Sequence, residues 1–337
     1  MKAAGGIANS PGVMRITSSS LIVSLFCACS MAGHAANSVI ELLDHFNLMA
    51  GDYQAGNETE GSAFIWGEYH ATGSSRFGFN GGQVADDSEY VLWLGNGVST
   101  TSTTTLITGS VVSRVSVNSS LFNLNGNGAG DPVLAEGQDA WDDALVSDLG
   151  LNSTDEIVAI LGDASSQWAT LEANSVATLP GNGGLSFSAT PADIDGYQVA
   201  VFNVTAEQLM DGSISRFDLA LNGADTVLVN VSGGDVTLSK SFTGDFVNNE
   251  SSVLFNFYEA ETVSVDVNVR GGIYAPFATV DQNGSNIDGT VVAAEFDQTA
   301  EVHDERFDGY LPYDMIPEPA STVLVMLGGM VLLRRRR

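Results

Sequence analysis

Apolar residues in this chain fall in short runs, and the gaps between runs are filled by Gly, Asn, Asp and Ser. The most regular series lies late, at residues 226–232, 252–258, 272–280 and 287–296, with starts 26, 20 and 15 residues apart. Each run is rich in Val, Ile, Phe and Tyr and is bounded by turn residues, the pattern of a strand. Strands recurring at roughly 20-residue spacing, each too short to bury a face alone, predict the stacked coils of a β-solenoid. A β-sandwich would bring turns every ~8–12 residues. An earlier set at 64–66, 77–79 and 90–94 has Gly81-Gly82 and Gly95-Asn96-Gly97 as its corners.

Between the two sets the period changes. Residues 140–149 and 155–161 place Trp141, Leu145, Ile157, Ile160 and Leu161 at helical spacing, and Trp168 and Leu171 extend the stripe. Ser153 followed by Glu156 reads as a capping box. Residues 138–173 are therefore predicted as helix packed on the solenoid, with Trp141 and Trp168 in the core rather than offered as a sugar platform. The fold class expected is mainly β, a right-handed β-helix with one packed helical segment.

Charge narrows the partners. The chain carries 41 acidic and 12 basic residues. Six of the basic ones are Lys2, Arg15 and Arg334 to Arg337 at the two ends, and Glu318 also lies in the tail. Residues 36–317 thus hold 40 acids against six bases, a formal charge of −34. Such a surface repels phosphate backbones and excludes a nucleic-acid partner.

Both ends read as processed segments. Arg15, the apolar run 21–29 and the small-residue close Gly33-His34-Ala35 make a secretory signal with cleavage after Ala35, and Met14 is an alternative start to Met1. Both cysteines, Cys27 and Cys29, fall inside it, so the mature chain has no disulfide, thiolate ligand or cysteine nucleophile. At the other end Pro317-Glu318-Pro319 precedes the uncharged run 320–333, and the chain closes on Arg334, Arg335, Arg336 and Arg337. That run of 14 residues spans roughly 21 Å as a helix, short of the ~30 Å hydrocarbon core, and the arginines hold its end in the cytoplasm. The order of Pro-Glu-Pro, short transmembrane helix and arginine cluster resembles the PEP-CTERM sorting signal of Gram-negative bacteria. The resemblance implies an exosortase-type membrane peptidase as partner, transit through the inner membrane, and delivery to the cell surface or extracellular matrix.

The body of the chain resembles a second family. Phe46-Asn47-Leu48-Met49-Ala50-Gly51-Asp52-Tyr53, then Thr59-Glu60-Gly61-Ser62-Ala63, is similar to the opening of the choice-of-anchor A domain. Later blocks at 197–204, 227–232, 253–259, 272–276, 287–293 and 302–309 follow in the family's order. Ser62-Ala63-Phe64 departs from it, since the family often has Arg-Val-Ala there, and the segments 98–136 and 174–196 are not diagnostic. The resemblance implies an adhesive surface domain with an ice-binding-like β-solenoid over residues 36–312, a biofilm or matrix role, and no catalysis.

Candidate chemistry is sparse. His45, His70 and His303 are far apart in sequence, with no HExxH, CxxC or GxSxG pattern beside them. Carboxylate pairs occur at Asp86-Asp87, Asp142-Asp143, Asp193/Asp195 and Glu259/Glu261, as expected of so acidic a surface. The alternative they leave open is a carbohydrate-active enzyme, a polysaccharide lyase or hydrolase, with carboxylates converging beside aromatics such as Trp93, Tyr258 and Tyr274. Oxygen ligands at alternate positions make Asp281, Asn283 and Asp288 weak calcium candidates, as does the segment 123–131, although solenoid corners account for both. The run Thr100 to Thr105 is a single stretch, whereas an ice-matching face needs threonines on several coils. An exopolysaccharide or surface glycan is the expected ligand class.

Overall fold

The computed structural model describes residues 38–73, 75–78, 90–100, 102–124 and 132–313. Ala35 and the signal before it, Asp86-Asp87, most of the 123–131 segment, and the whole tail from Pro317 to Arg337 lie outside them. The described chain is mainly β. Its longest parallel ladder runs Leu134–Glu136, Ser110–Ser113, Tyr90–Leu94, Ala63–Ile65, Leu48–Ala55, Val291–Asp297, Gly272–Gln282, Val253–Asn256, Thr226–Ser232 and Tyr197–Thr205, and Ala192–Ile194 adds an antiparallel edge. Each coil turns twice more. In one coil residues 272–275 belong to this ladder, 279–282 to a second side, and 287–288 to a third. The result is a three-sided, β-solenoid-like stack, as the strand spacing predicts.

The coils are not stacked in chain order. The first strand, Leu48–Ala55, lies mid-stack, and residues up to 136 build away from it in one direction. Helices then carry the chain to the opposite end, from which residues 184–303 return. The last full coil closes against the first, with Leu48 opposite Val291, Ala50 opposite Ala293 and Tyr53 opposite Phe296. On the third side Thr59 pairs with Val302 across the same seam.

Burial explains why the first ladder reads as continuous apolar runs. Leu48, Ala50, Ile65, Val291, Ile273 and Val227 point into the coil interior. The residues between them, Met49, Phe64, Trp93, Val292, Tyr274 and Leu228, point the other way into a second apolar cluster. A parallel sheet covered on both faces loses the polar alternation of a half-exposed one. The cover is helical: α1 (Ser38–His45), α2 (Gln138–Leu149) and α3 (Thr154–Trp168). Trp141 and Trp168 are fully buried there.

The predicted capping box forms with one change. Ser153 Oγ accepts from Glu156 N at 3.1 Å, but the Glu156 carboxylate accepts from Asn152 N at 2.9 Å instead of the cap's own amide. Gly150 ends α2 in the left-handed conformation, φ 65°, where its N–H reaches the Leu145 and Val146 carbonyls. Polar bonds fix α3 on the ladder. Asn256 Nδ2 donates to Ser165 O and to Asn230 Oδ1, each at 2.9 Å, and Asn230 Nδ2 donates to Trp168 O at 2.8 Å. Among the described residues no helix is long and apolar enough to cross a membrane.

Candidate functional site

The outer surface of the solenoid's second side is not covered by the long helices; the one-turn helix Ala206–Leu209 takes the place of a strand at its end, beside Asp235–Leu238. The strands of this side are residues 235–238, 262–265, 279–282, 295–297, 52–55 and 69–71, in register. Val236, Val263, Val280, Phe296, Tyr53 and Tyr69 point inward. Alternation sends their neighbours to solvent in two rows. One row runs Asp235, Thr262, Thr279, Glu295 and Asp52; the other runs Thr237, Ser264, Asp281, Asp297, Gln54 and His70. Neighbouring strands in such a ladder lie ~4.8 Å apart, so each row is a regularly spaced array of polar side chains in which hydroxyls adjoin carboxylates. We refer to it as the open face.

Electrostatics on this face are unfavourable to the isolated protein. Desolvation, then the charges of Glu295 and Asp281, push the Asp297 carboxyl above its ordinary range against a bond from Gln54. Asp297 Oδ1 is withdrawn from solvent and has no hydrogen-bond partner among the described residues. Asp52 Oδ1 is better served, accepting from Glu68 N at 2.7 Å. A shallow recess of about 220 Å³ lies here, lined by Asp52, Gln54, Glu68, His70, Ser99 and Glu295.

A second cluster sits on the third side beside the seam. Arg270 Nη1 lies 2.7 Å from both Glu250 Oε1 and Asp288 Oδ2. His303 Nδ1 bonds Asp288 Oδ1, and His303 Nε2 is 3.0 Å from Glu301 Oε2. Burial alone would lower the His303 pKa; the bonds to Glu301 and Asp288 outweigh it and hold the group above its usual value. Desolvation, followed by the charges of Glu250, Asp288, Asp304 and Glu60, raises Glu305. These groups border an open groove of about 310 Å³ with Glu60 and Asn268.

The structure separates the three histidines. His303 is in the seam cluster, His70 ends a row of the open face, and His45 is mostly buried at the end of α1, where desolvation and then Arg306 lower it to about 4. The calcium candidates also diverge. Asp281 points out on the open face, Asn283 donates to Asp266 Oδ1 at 2.8 Å, and Asp288 is taken up by Arg270 and His303. Among the described residues no group of three or more His, Cys, Asp or Glu side chains is placed to hold a metal ion. Trp93 and Tyr274 are fully buried under the helices, so the aromatic platform an enzyme would need at Trp93, Tyr258 and Tyr274 is not formed. Thr104, in the threonine run, faces the interior and bonds the Tyr69 hydroxyl at 2.6 Å. Asp142 and Asp143 are exposed on α2.

Sequence reasoning did not single out the open-face rows. Their signal is present in Thr262-Val-Ser-Val, Thr279-Val-Asp and Asp52-Tyr-Gln, polar and apolar positions in alternation, but register across strands was needed to align them. The seam cluster has no such local signal.

A family model described as "Putative Ice-binding-like adhesive domain" matches residues 39–304. The chain belongs to this family of ice-binding-like adhesive domains. Among solved structures, an ice-binding protein from an Arctic yeast is 15% identical, with 84% of this chain and 98% of that one covered and a TM-score of 0.32. One from the Antarctic ascomycete Antarctomyces psychrotrophicus is 12% identical over 78% and 96% of the two chains, TM-score 0.28. The DUF3494 domain of Shewanella frigidimarina ice-binding protein 1 is 13% identical over 81% and 97%, TM-score 0.30. No curated protein matches the sequence.

Proposed function

We propose that this is an exported, non-catalytic adhesive protein of the cell surface or extracellular matrix, a right-handed β-solenoid that meets its ligand through the open face. The observation that carries the reading is the uneven cover of the coil stack. Helices bury the outer side of one ladder, whereas the rows Asp235 to Asp52 and Thr237 to His70 stand uncovered and in register. Flat, repeating polar arrays suit extended ligands, since many weak contacts sum along a polymer. Asp235, Glu295 and Asp52 stand in one row and Asp281 and Asp297 in the other, so the face differs chemically from a threonine lattice and favours hydroxylated or cationic polymers over ice. Right-handedness follows the general rule for parallel crossovers.

Export and sorting complete the proposal. The signal ends at Ala35, and the tail is handed to an exosortase-type peptidase at Pro317-Glu318-Pro319 while Arg334 to Arg337 hold the helix in the inner membrane. Support comes from the order of these segments in the sequence and from the acidic, cysteine-free body they bracket. Deleting residues 316–337 and fractionating the cells tests it: the protein should leave the surface fraction, and unchanged retention there contradicts the sorting role.

A further inference from the structure

At the end of the longest ladder formed by Tyr197–Thr205 and Ala192–Ile194, an exposed tyrosine is paired with a partly buried one. Ala192–Ile194 and Tyr197–Thr205 form an antiparallel hairpin at this edge, turned by Asp195 and Gly196 at φ 53° and 95°. A non-glycine residue in the left-handed region is uncommon, and Asp tolerates it better than most. Tyr197 opens the second strand and is 47% exposed. Its ring stacks on Tyr310 with centroids 4.3 Å apart and planes 10° from parallel. Tyr310 is itself fixed: its N–H donates to Thr226 Oγ1 at 2.9 Å and its hydroxyl to Asp195 Oδ2 at 2.7 Å. One face of Tyr197 is thus backed by a second ring, and the ring is held rigidly by residues from two distant parts of the chain.

We propose that Tyr197, backed by Tyr310, is a stacking platform for one pyranose unit of an amino-bearing glycan. An aromatic face left in water on a protein edge gains by covering itself with a flat apolar surface, and the C–H face of a pyranose is of that size and shape. A protein partner needs about 800 Å² on each side, far more than one ring supplies. The surroundings select the sugar's charge. Asp193, Asp195 and Asp225 are all exposed, and none has an ion-pair partner among the described residues. Asp195 keeps its second oxygen beside the pair, and Asp225 Oδ2 accepts the backbone N–H of Gln198, next to Tyr197, at 3.0 Å. An ammonium on the sugar is attracted here, and a uronate is repelled. The platform lies away from the open face, so a polymer that touches both gains by avidity. The inference takes from the adhesive reading only the expectation of a glycan partner.

The test is an NMR titration of the purified full chain with a glucosamine tetrasaccharide, alongside N-acetylglucosamine and polyuronate tetrasaccharides. The glucosamine oligomer should saturate with Kd on the order of mM and shift the ring signals of Tyr197 and Tyr310. Tyr197→Ala should weaken it at least tenfold, and Tyr197→Phe should stay within about twofold of the wild type. Asp195→Asn, which keeps the turn and an acceptor for Tyr310, should weaken the glucosamine oligomer selectively and flatten its salt dependence. Absence of saturation, unchanged binding in Tyr197→Ala, or equal binding of the polyuronate overturns the proposal. A soluble tetrasaccharide reports this site whether or not cells adhere, so failure of the adhesive reading is scored separately.

Discussion

The Tyr53 hydroxyl donates to Gln298 Oε1 at 2.6 Å, joining residues 245 positions apart in sequence. Gln298 Nε2 donates in turn to Glu58 O at 2.8 Å, and Gln298 is almost fully buried. The Tyr53 ring lies flat on Phe296, 5.6 Å between centroids. The first and last coils are therefore latched by a buried side-chain network, and parallel pairing at this seam forms only when the two ends of the domain meet.

Gln298→Ala removes one hub and takes its side-chain partner from the Glu58 carbonyl, while the Tyr53 hydroxyl keeps Thr59 Oγ1 at 3.1 Å. A buried group left without a partner costs about 1–3 kcal/mol, and a loss of that size is expected. Urea unfolding should report it as a lower midpoint at constant m-value, while Gln54→Ala on the exposed side of the same strand changes stability by less than about 0.5 kcal/mol.

A second latch holds α3. Asn256→Leu leaves the Ser165 hydroxyl and Asn230 Oδ1 without their buried partner, while the Ser165 carbonyl keeps the Ala169 N–H at 3.1 Å. A loss of about 2–4 kcal/mol is expected from the orphaned groups, and amide exchange should accelerate in α3 before it does in the coils. Trp168→Ala, at the end of the same helix, should cost about 3–5 kcal/mol through the cavity it opens.

The coil corner at Gly289 is limited by space. A Cβ placed on Gly289 would lie 2.4 Å from the Gly271 carbonyl carbon and oxygen of the neighbouring coil. Backbone cannot yield as a flexible side chain does. Gly289→Ala should therefore lower the thermal midpoint markedly, whereas Gly284→Ala, which meets nothing within 4 Å but has φ 78°, should pay only the smaller backbone strain.

His303 gives the fold a pH dependence of known sign. Its folded pKa is held above the unfolded value of about 6.5 by Glu301 and Asp288. A raised pKa contributes stability that is fully present below the unfolded value and is lost as pH rises through the folded one. The midpoint difference between wild type and His303→Gln should accordingly be largest near pH 5 and shrink toward pH 9. A difference that grows with pH would contradict the assignment of Glu301 and Asp288 as its partners.

Much of this was legible in the residues. The spacing of the runs after Thr226 announces stacked coils, and the period around Trp141 and Trp168 announces the helices. The stacking order was not legible, because a strand such as Leu48–Ala55 carries no mark of which neighbour it will take. The short strands Thr104–Leu106, Leu134–Glu136 and Gly184–Ser188 were also hidden, since three to five residues are too few to show a period and their pairing partners lie far off in sequence. The same holds for the candidate sites. Asp281 and Asp288 are close in sequence yet leave on different sides of the coil, whereas Asp52 and Glu295 are distant in sequence and adjacent on the open face.

The central claim is that the open face makes the adhesive contact. Cells displaying the full chain should be measured for attachment to a polysaccharide matrix, comparing wild type with Asp281→Lys/Asp297→Lys on the open face and with Asp142→Lys/Asp143→Lys on α2. The account predicts that attachment falls at least tenfold for the open-face pair at equal surface display and is unchanged for the helix pair. Equal attachment by all three proteins would contradict it.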